Sequence, residues 1–101
     1  HAEDALHYIT NEYPGKRHPI AAGIAQALDT EHAQWVRLIQ KKQHPDTSKR
    51  PIMHLLECGT AVMLDGGDVK PQMQRWQQLL AGIDSMAGLA KEMQRYIKKA
   101  R

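Results

Sequence analysis

The chain has 101 residues, of which 42% are hydrophobic and 25% are charged, and its formal net charge is +3. A chain of this length has room for one hydrophobic core, and its balance of apolar and charged residues is that of a globular protein and does not suggest a disordered or fibrous one. We therefore expect residues 1–101 to form a single domain, either as a whole protein or as a piece of a larger one.

The residue types favour helices over strands. Phe is absent, and the β-branched residues nowhere alternate over the length of a strand, so Leu, Ile, Ala and Met must fill the core. The single Cys58 cannot form an intrachain disulfide, which fits a reducing compartment, and we expect a cytoplasmic protein. No apolar run is long enough to span a bilayer, and residues 1–20 do not have the basic-then-apolar pattern of a signal peptide, so we expect no membrane partner.

The beginning of the chain predicts a short helix and a loop. Ala2–Thr10 has apolar residues on one side and acidic residues in its first turn, where the helix dipole favours them. Asn11–Pro19 reads as a loop, and Pro19 is suited to the first position of the following helix.

A longer helical pattern runs from Ile20 to Gln43. It is interrupted in the middle by Asp29 and Thr30, which are both favourable N-cap residues. The segment is therefore either one helix of about 24 residues or two helices joined by a tight turn.

The middle of the chain predicts a loop, a helix and a turn. His44–Arg50 is polar and contains a proline, so it reads as an exposed loop. Pro51–Leu64 has the spacing of a helix, with Gly59 at a place where a close neighbour would fit. The Asp65–Asp68 segment supplies a glycine for a left-handed C-cap, and Asp68 is suited to cap the next helix.

The last third of the chain predicts one long helix. From Lys70 to Arg101 apolar residues recur at intervals of three and four, and an uninterrupted helix of this length would measure about 45 Å. Pro71 is tolerated in its first turn. Gly82 and Gly88 each cost about 1 kcal/mol relative to Ala. They indicate either a patch of small residues on which another backbone packs closely, or a kink near Gly82 that shortens the rod.

Together these elements predict an all-α bundle of four helices with a long C-terminal helix, or of five helices if Asp29 and Thr30 divide the second. The stripe of the last helix has more apolar positions than three shorter helices are expected to cover. We therefore expect an exposed partner interface that serves a homodimer or a helical protein partner. The candidate interface residues are Met73, Trp76, Leu80, Met86 and Met93.

The positive charge is concentrated in residues 41–50 and 91–101, which indicates contacts with phosphate groups of DNA or RNA. The segment Ile20–Leu38 also matches part of a helix-turn-helix unit, in which Gln34 and Arg37 face outward and can bond to base edges. Asp29 departs from that pattern because it stands where Gly is usual. The candidate nucleic-acid-binding residues are Gln34, Arg37, Lys41, Lys42, Lys49, Arg50, Lys91, Arg95, Lys98, Lys99 and Arg101.

No catalytic, cofactor or metal motif is recognisable. His54, Glu57 and Cys58 share a helix face, but a structural zinc site needs four ligands and there is no second Cys. The loop Asp65–Asp68 lacks the pattern of a phosphate-binding loop. We therefore expect neither an enzyme nor a cofactor.

Two functions remain open on the sequence alone. The first is a non-enzymatic nucleic-acid-associated accessory or regulatory protein that acts as an oligomer. The second is a helical protein-interaction module, in which the apolar stripe of the C-terminal helix docks a partner and the basic charge only solubilises the protein.

Overall fold

The structure is a computed structural model that describes residues 17–43 and 50–100. Within these residues it contains four α-helices and one 3₁₀ turn, and no strand. The helices are α1 (Arg17–Gln40), α2 (Arg50–Leu64), α3 (Lys70–Ala81) and α4 (Ala87–Lys99), and the 3₁₀ turn is Asp84–Met86. The all-α prediction is confirmed. No helix in the described part of the chain is both long and apolar enough to cross a membrane. The predicted helix Ala2–Thr10 lies outside the described residues.

Helix α1 is uninterrupted over its 24 residues. The Thr30 hydroxyl donates a hydrogen bond to the carbonyl oxygen of Gln26, 3.0 Å away, so this side chain bonds back along the helix and does not cap a new one. The single-helix alternative is therefore correct, and residues 20–38 contain no turn of the kind that a helix-turn-helix unit requires.

Both ends of α1 differ from the prediction. The helix begins at Arg17, so the predicted loop is wrong for its last three residues. Pro19 is accommodated because the first N–H groups of a helix have no intrahelical partner. The helix ends at Gln40, three residues before the predicted end. There Lys42 adopts a left-handed φ of 58°, and the Gln43 N–H bonds to the Leu38 carbonyl at 2.9 Å, which closes a Schellman motif.

Helix α2 follows the prediction closely. It begins at Arg50, which is therefore helical and not part of the predicted loop. Gly66 has a φ of 90°, and the N–H of Gly67 bonds to the Val62 carbonyl at 2.7 Å, so the predicted glycine C-cap is confirmed. The predicted close approach at Gly59 is confirmed as well, since a Cβ atom there would lie 2.6 Å from the Met73 sulfur.

Helix α3 begins without a side-chain cap. Its N-cap residue is Val69, which is fully buried, so the prediction that Asp68 caps this helix is wrong. The helix therefore begins one residue later than predicted. The Val69 carbonyl accepts the first hydrogen bond of the helix, from the Met73 N–H at 3.0 Å. Pro71 lies in the first turn as predicted.

The long C-terminal helix does not exist, and this prediction is wrong. The chain leaves helical geometry at Ile83, which is extended (φ −110°, ψ 115°), and returns through the 3₁₀ turn into α4. The sequence places the break correctly near Gly82, but the structure has a reversal there and not a kink. Because α3 and α4 pack against each other, both halves of the apolar stripe reach one core, which a straight rod of about 45 Å would not permit. At Gly88 no other part of the described chain packs closely, since a Cβ built there would meet no such atom within 4 Å.

The core lies where α1 and the α3–α4 hairpin meet α2. Trp76 is fully buried at its centre, and its indole N–H donates to the Leu28 carbonyl of α1 at 2.9 Å. The ring of Trp35 contacts it edge-on at a centroid distance of 5.3 Å. Helix α4 packs on α3 and α2, and this arrangement decides which of its faces is open to solvent.

Candidate nucleic-acid interface

Helix α4 has one buried face and one cationic face. Ala90, Met93 and Ile97 are buried at intervals of three and four residues, which fixes the orientation of the helix on the core. The opposite side of the helix is exposed and carries four cations, which we call the α4 cation row: Lys91, Arg95, Lys98 and Lys99.

No acid in residues 17–43 or 50–100 pairs with the cations of this row. Among the described residues, no carboxylate lies within ion-pair distance of any of its four members. Glu92 is the only acidic residue of α4, and it is also exposed. The row therefore presents its positive charge to solvent, where an anionic ligand can reach it.

The helix dipole explains only part of this charge. Lys98 and Lys99 lie in the last turn of α4, where cations are favourable. Lys70, at the start of α3, also places a cation at the C-terminus of α4, since its ammonium donates to the Ala100 carbonyl at 3.1 Å. The dipole effect falls off within one turn, so it gives no reason for Lys91, which lies two turns before the end of the helix.

An aromatic side chain borders the row. Tyr96 is partly buried and packs against the core. The ammonium of Lys99 lies 5.7 Å from the centroid of its ring, which is a cation–π distance.

The other predicted basic group lies at the end of α1. Gln34, Arg37, Lys41 and Lys42 are all exposed. Lys42 occupies the left-handed position that ends the helix. Of the remaining candidates, Lys49 and Arg101 lie outside the described residues, and Arg50 forms the first residue of α2.

The structure separates these two groups. A Cβ at Gly67 would lie 3.3 Å from Ala21, so the start of α1 lies beside the turn that leads into α3. Because Lys70 bonds to Ala100, the end of α4 lies at that same end of the bundle. Lys41 is twenty residues beyond Ala21 in sequence, most of them helical, which places it about 30 Å away. The cations of α1 and the C-terminal cations of α4 therefore lie at opposite ends.

The candidate partner-interface residues lie in the interior. All five are buried in the core of the chain, and Met73, Trp76 and Leu80 have no exposed surface. The face that they were predicted to offer a partner is covered by the chain itself. Besides Gly82, the sequence analysis could have used Asp84 and Ser85, two residues that favour turns, as a signal that the chain reverses here.

A groove lies between α1 and the first half of α2, and sequence reasoning did not predict it. It has a volume of about 780 Å³. Its lining is mixed, with apolar side chains such as Leu38 and Leu55 beside polar ones such as Glu31 and Gln34. Gln34, a candidate base reader, thus forms part of this groove.

The cysteine and histidine residues form no reactive or metal-binding cluster in the described part of the chain. There, no group of three His, Cys, Asp or Glu side chains is placed to hold a metal ion. Cys58 is buried, and this burial, together with the nearby Glu57 carboxylate, raises the pKa of its thiol. A raised pKa disfavours the thiolate, so this thiol is not activated as a nucleophile.

Comparisons with protein-family models, with curated proteins and with solved structures gave no match.

Proposed function

We propose that the protein binds the phosphate backbone of nucleic acid through the α4 cation row, as a non-enzymatic accessory or regulatory protein. The observation that carries this proposal is the row itself, four exposed cations on one helix face with no described carboxylate within ion-pair distance.

The spacing of the row supports contact with several phosphates. Lys91, Arg95 and Lys98 follow one another at four and three residues, so they lie along one line of the helix surface. From Lys91 to Lys99 the row extends about 12 Å along the axis. A rigid helix that is packed on the core holds this spacing, so binding does not have to order a flexible segment.

Titration of a labelled duplex and a labelled single strand, followed by fluorescence anisotropy, tests the proposal. If four phosphates are neutralised, affinity should fall about 50- to 150-fold between about 50 and about 200 mM salt, because each neutralised phosphate releases counterions. No binding of either probe at the lower salt concentration would refute the proposal.

A matched pair of variants identifies the surface. Lys91→Gln with Arg95→Gln should weaken binding and reduce the salt dependence by about two phosphate contacts. Arg37→Gln with Lys41→Gln removes the same charge from the C-terminal end of α1 and should leave binding nearly unchanged. All four side chains are exposed, so both variants should keep the stability of the native chain. Equal loss in the two variants would show that net charge, and not the row, causes binding.

A further inference from the structure

We propose that the α4 cation row takes single-stranded nucleic acid, with one unpaired base stacked on the ring of Tyr96. This inference rests on the proposed function and names the class of nucleic acid that the same surface binds.

The ring of Tyr96 is held in place and is still partly open. Its partial burial against the core fixes the side chain on α4. Lys99, one turn further along the same helix, places its ammonium 5.7 Å from the ring centroid. Lys99 is exposed and Tyr96 keeps part of its own surface exposed, so a ligand that displaces the lysine can reach the residue from solvent.

The neighbours of Tyr96 suit a nucleotide. Arg95 precedes it and Lys99 follows one turn later, and both are exposed. A base on the ring would take the place of the Lys99 ammonium, which is on a flexible stem and would then be available for the phosphate of the same strand. One side chain would thus exchange an intramolecular cation–π contact for an ion pair with the ligand.

Stacking distinguishes a single strand from a duplex. Bases in a duplex are stacked on one another, whereas unpaired bases are free to stack on an aromatic side chain. Stacking tolerates any base, because every base has a π-face. We therefore expect preference for a single strand and no strong preference for its sequence.

The test uses the full chain and three labelled probes about 12 nucleotides long: a thymine strand, a strand of the same charge without bases, and a duplex. The thymine strand should bind about tenfold more tightly than the strand without bases, since stacking on one aromatic ring is typically worth that much. Tyr96→Leu, which keeps apolar bulk against the core, should abolish this difference. Tyr96→Phe, which keeps the ring, should retain it.

The outcomes separate this inference from the proposed function. Equal binding of the thymine strand and the strand without bases would overturn the stacking inference and leave phosphate binding intact. Retention of the tenfold difference by Tyr96→Leu would also overturn it. If none of the three probes binds, the proposed function fails and the stacking inference fails with it. Should Tyr96→Leu not fold, the comparison of the two strands on the native chain and on Tyr96→Phe still decides.

Discussion

Helix α1 and the α3–α4 hairpin each contain residues that favour a break in a helix, but only the hairpin breaks. Helix α1 contains Asp29 and Thr30, two residues that favour a new helix start, and yet all 24 of its residues form one unbroken helix. The last third of the chain has a continuous apolar stripe, and yet it reverses at Ile83. The difference lies in what each segment has to bury.

In α1 the buried residues Ala21, Leu28 and Trp35 recur every seven positions, so one straight helix keeps all of them on a single surface. Asp29 and Thr30 are exposed and interrupt nothing on that surface. In the hairpin, Leu80 and Met93 are buried in the core on two helices that pack against each other, because the chain folds back between them. In α1, packing of one continuous surface thus outweighs the capping preference of Asp29 and Thr30. In the hairpin, packing of both halves favours a break where the sequence has only a weak turn signal.

Replacement of Trp76 should break the contact between the two regions most severely. Its side chain is fully buried, and its indole N–H bonds to the Leu28 carbonyl of α1. Trp76→Ala should lower the free energy of unfolding by about 3–5 kcal/mol, measured by urea denaturation and circular dichroism. Trp76→Phe, which keeps a ring and loses the N–H donor, should lower the free energy of unfolding by a smaller amount.

Light scattering on the same variants addresses the predicted partner interface. Since Trp76 is buried within the chain, Trp76→Ala should change stability and not the molecular mass of the native protein. Unchanged stability together with a lower mass would contradict this burial and would restore the interface.

The cause of the reversal at residues 82–83 is open to a second, smaller test. Gly82 has helical geometry (φ −85°, ψ −1°), and a Cβ there would lie 3.5 Å from the Leu79 carbonyl, which is an ordinary contact. Gly82→Ala should therefore be accommodated and change the free energy of unfolding by no more than about 1 kcal/mol. Small-angle scattering should give an unchanged size. An extended molecule with a continuous last helix would show that glycine, and not burial of both halves of the stripe, causes the reversal.

The sequence therefore predicts local features better than long-range ones. The glycine C-cap at Gly66 and the close approach at Gly59 follow from residue chemistry and neighbouring spacing, and both are found. A stripe of apolar residues has the same spacing in a rod and in a hairpin, so it could not decide the path of the last third.

The candidate site was predictable to the same degree. The exposed cations of α4 follow from the helical period, because they lie opposite the apolar stripe. Their separation from the cations of α1 depends on how the helices are arranged in space. The period of a single helix does not determine this arrangement.

The smallest expected effect concerns the exposed contact between the two regions. Arg75 of α3 donates to the Asp29 carboxylate of α1 at 2.8 Å, and Gln72 donates to its other oxygen at 3.4 Å. The hydrogen bond from Arg75 is the main cause that holds the pKa of Asp29 below its usual value. Both partners are about half exposed, with side-chain accessibilities of 48% and 50%, so water screens the pair.

Asp29→Asn should therefore lower the free energy of unfolding at neutral pH by less than about 1 kcal/mol. A lowered pKa in the folded state means that this contribution is present above the pKa of the unfolded aspartate, and that it is lost as the pH falls through the folded value. The difference between the native chain and the variant should accordingly shrink as the pH falls below about 4. Thermal unfolding of both proteins at a series of pH values measures this difference. A difference that persisted unchanged at the lowest pH would mean that no charge interaction at Asp29 joins the two regions.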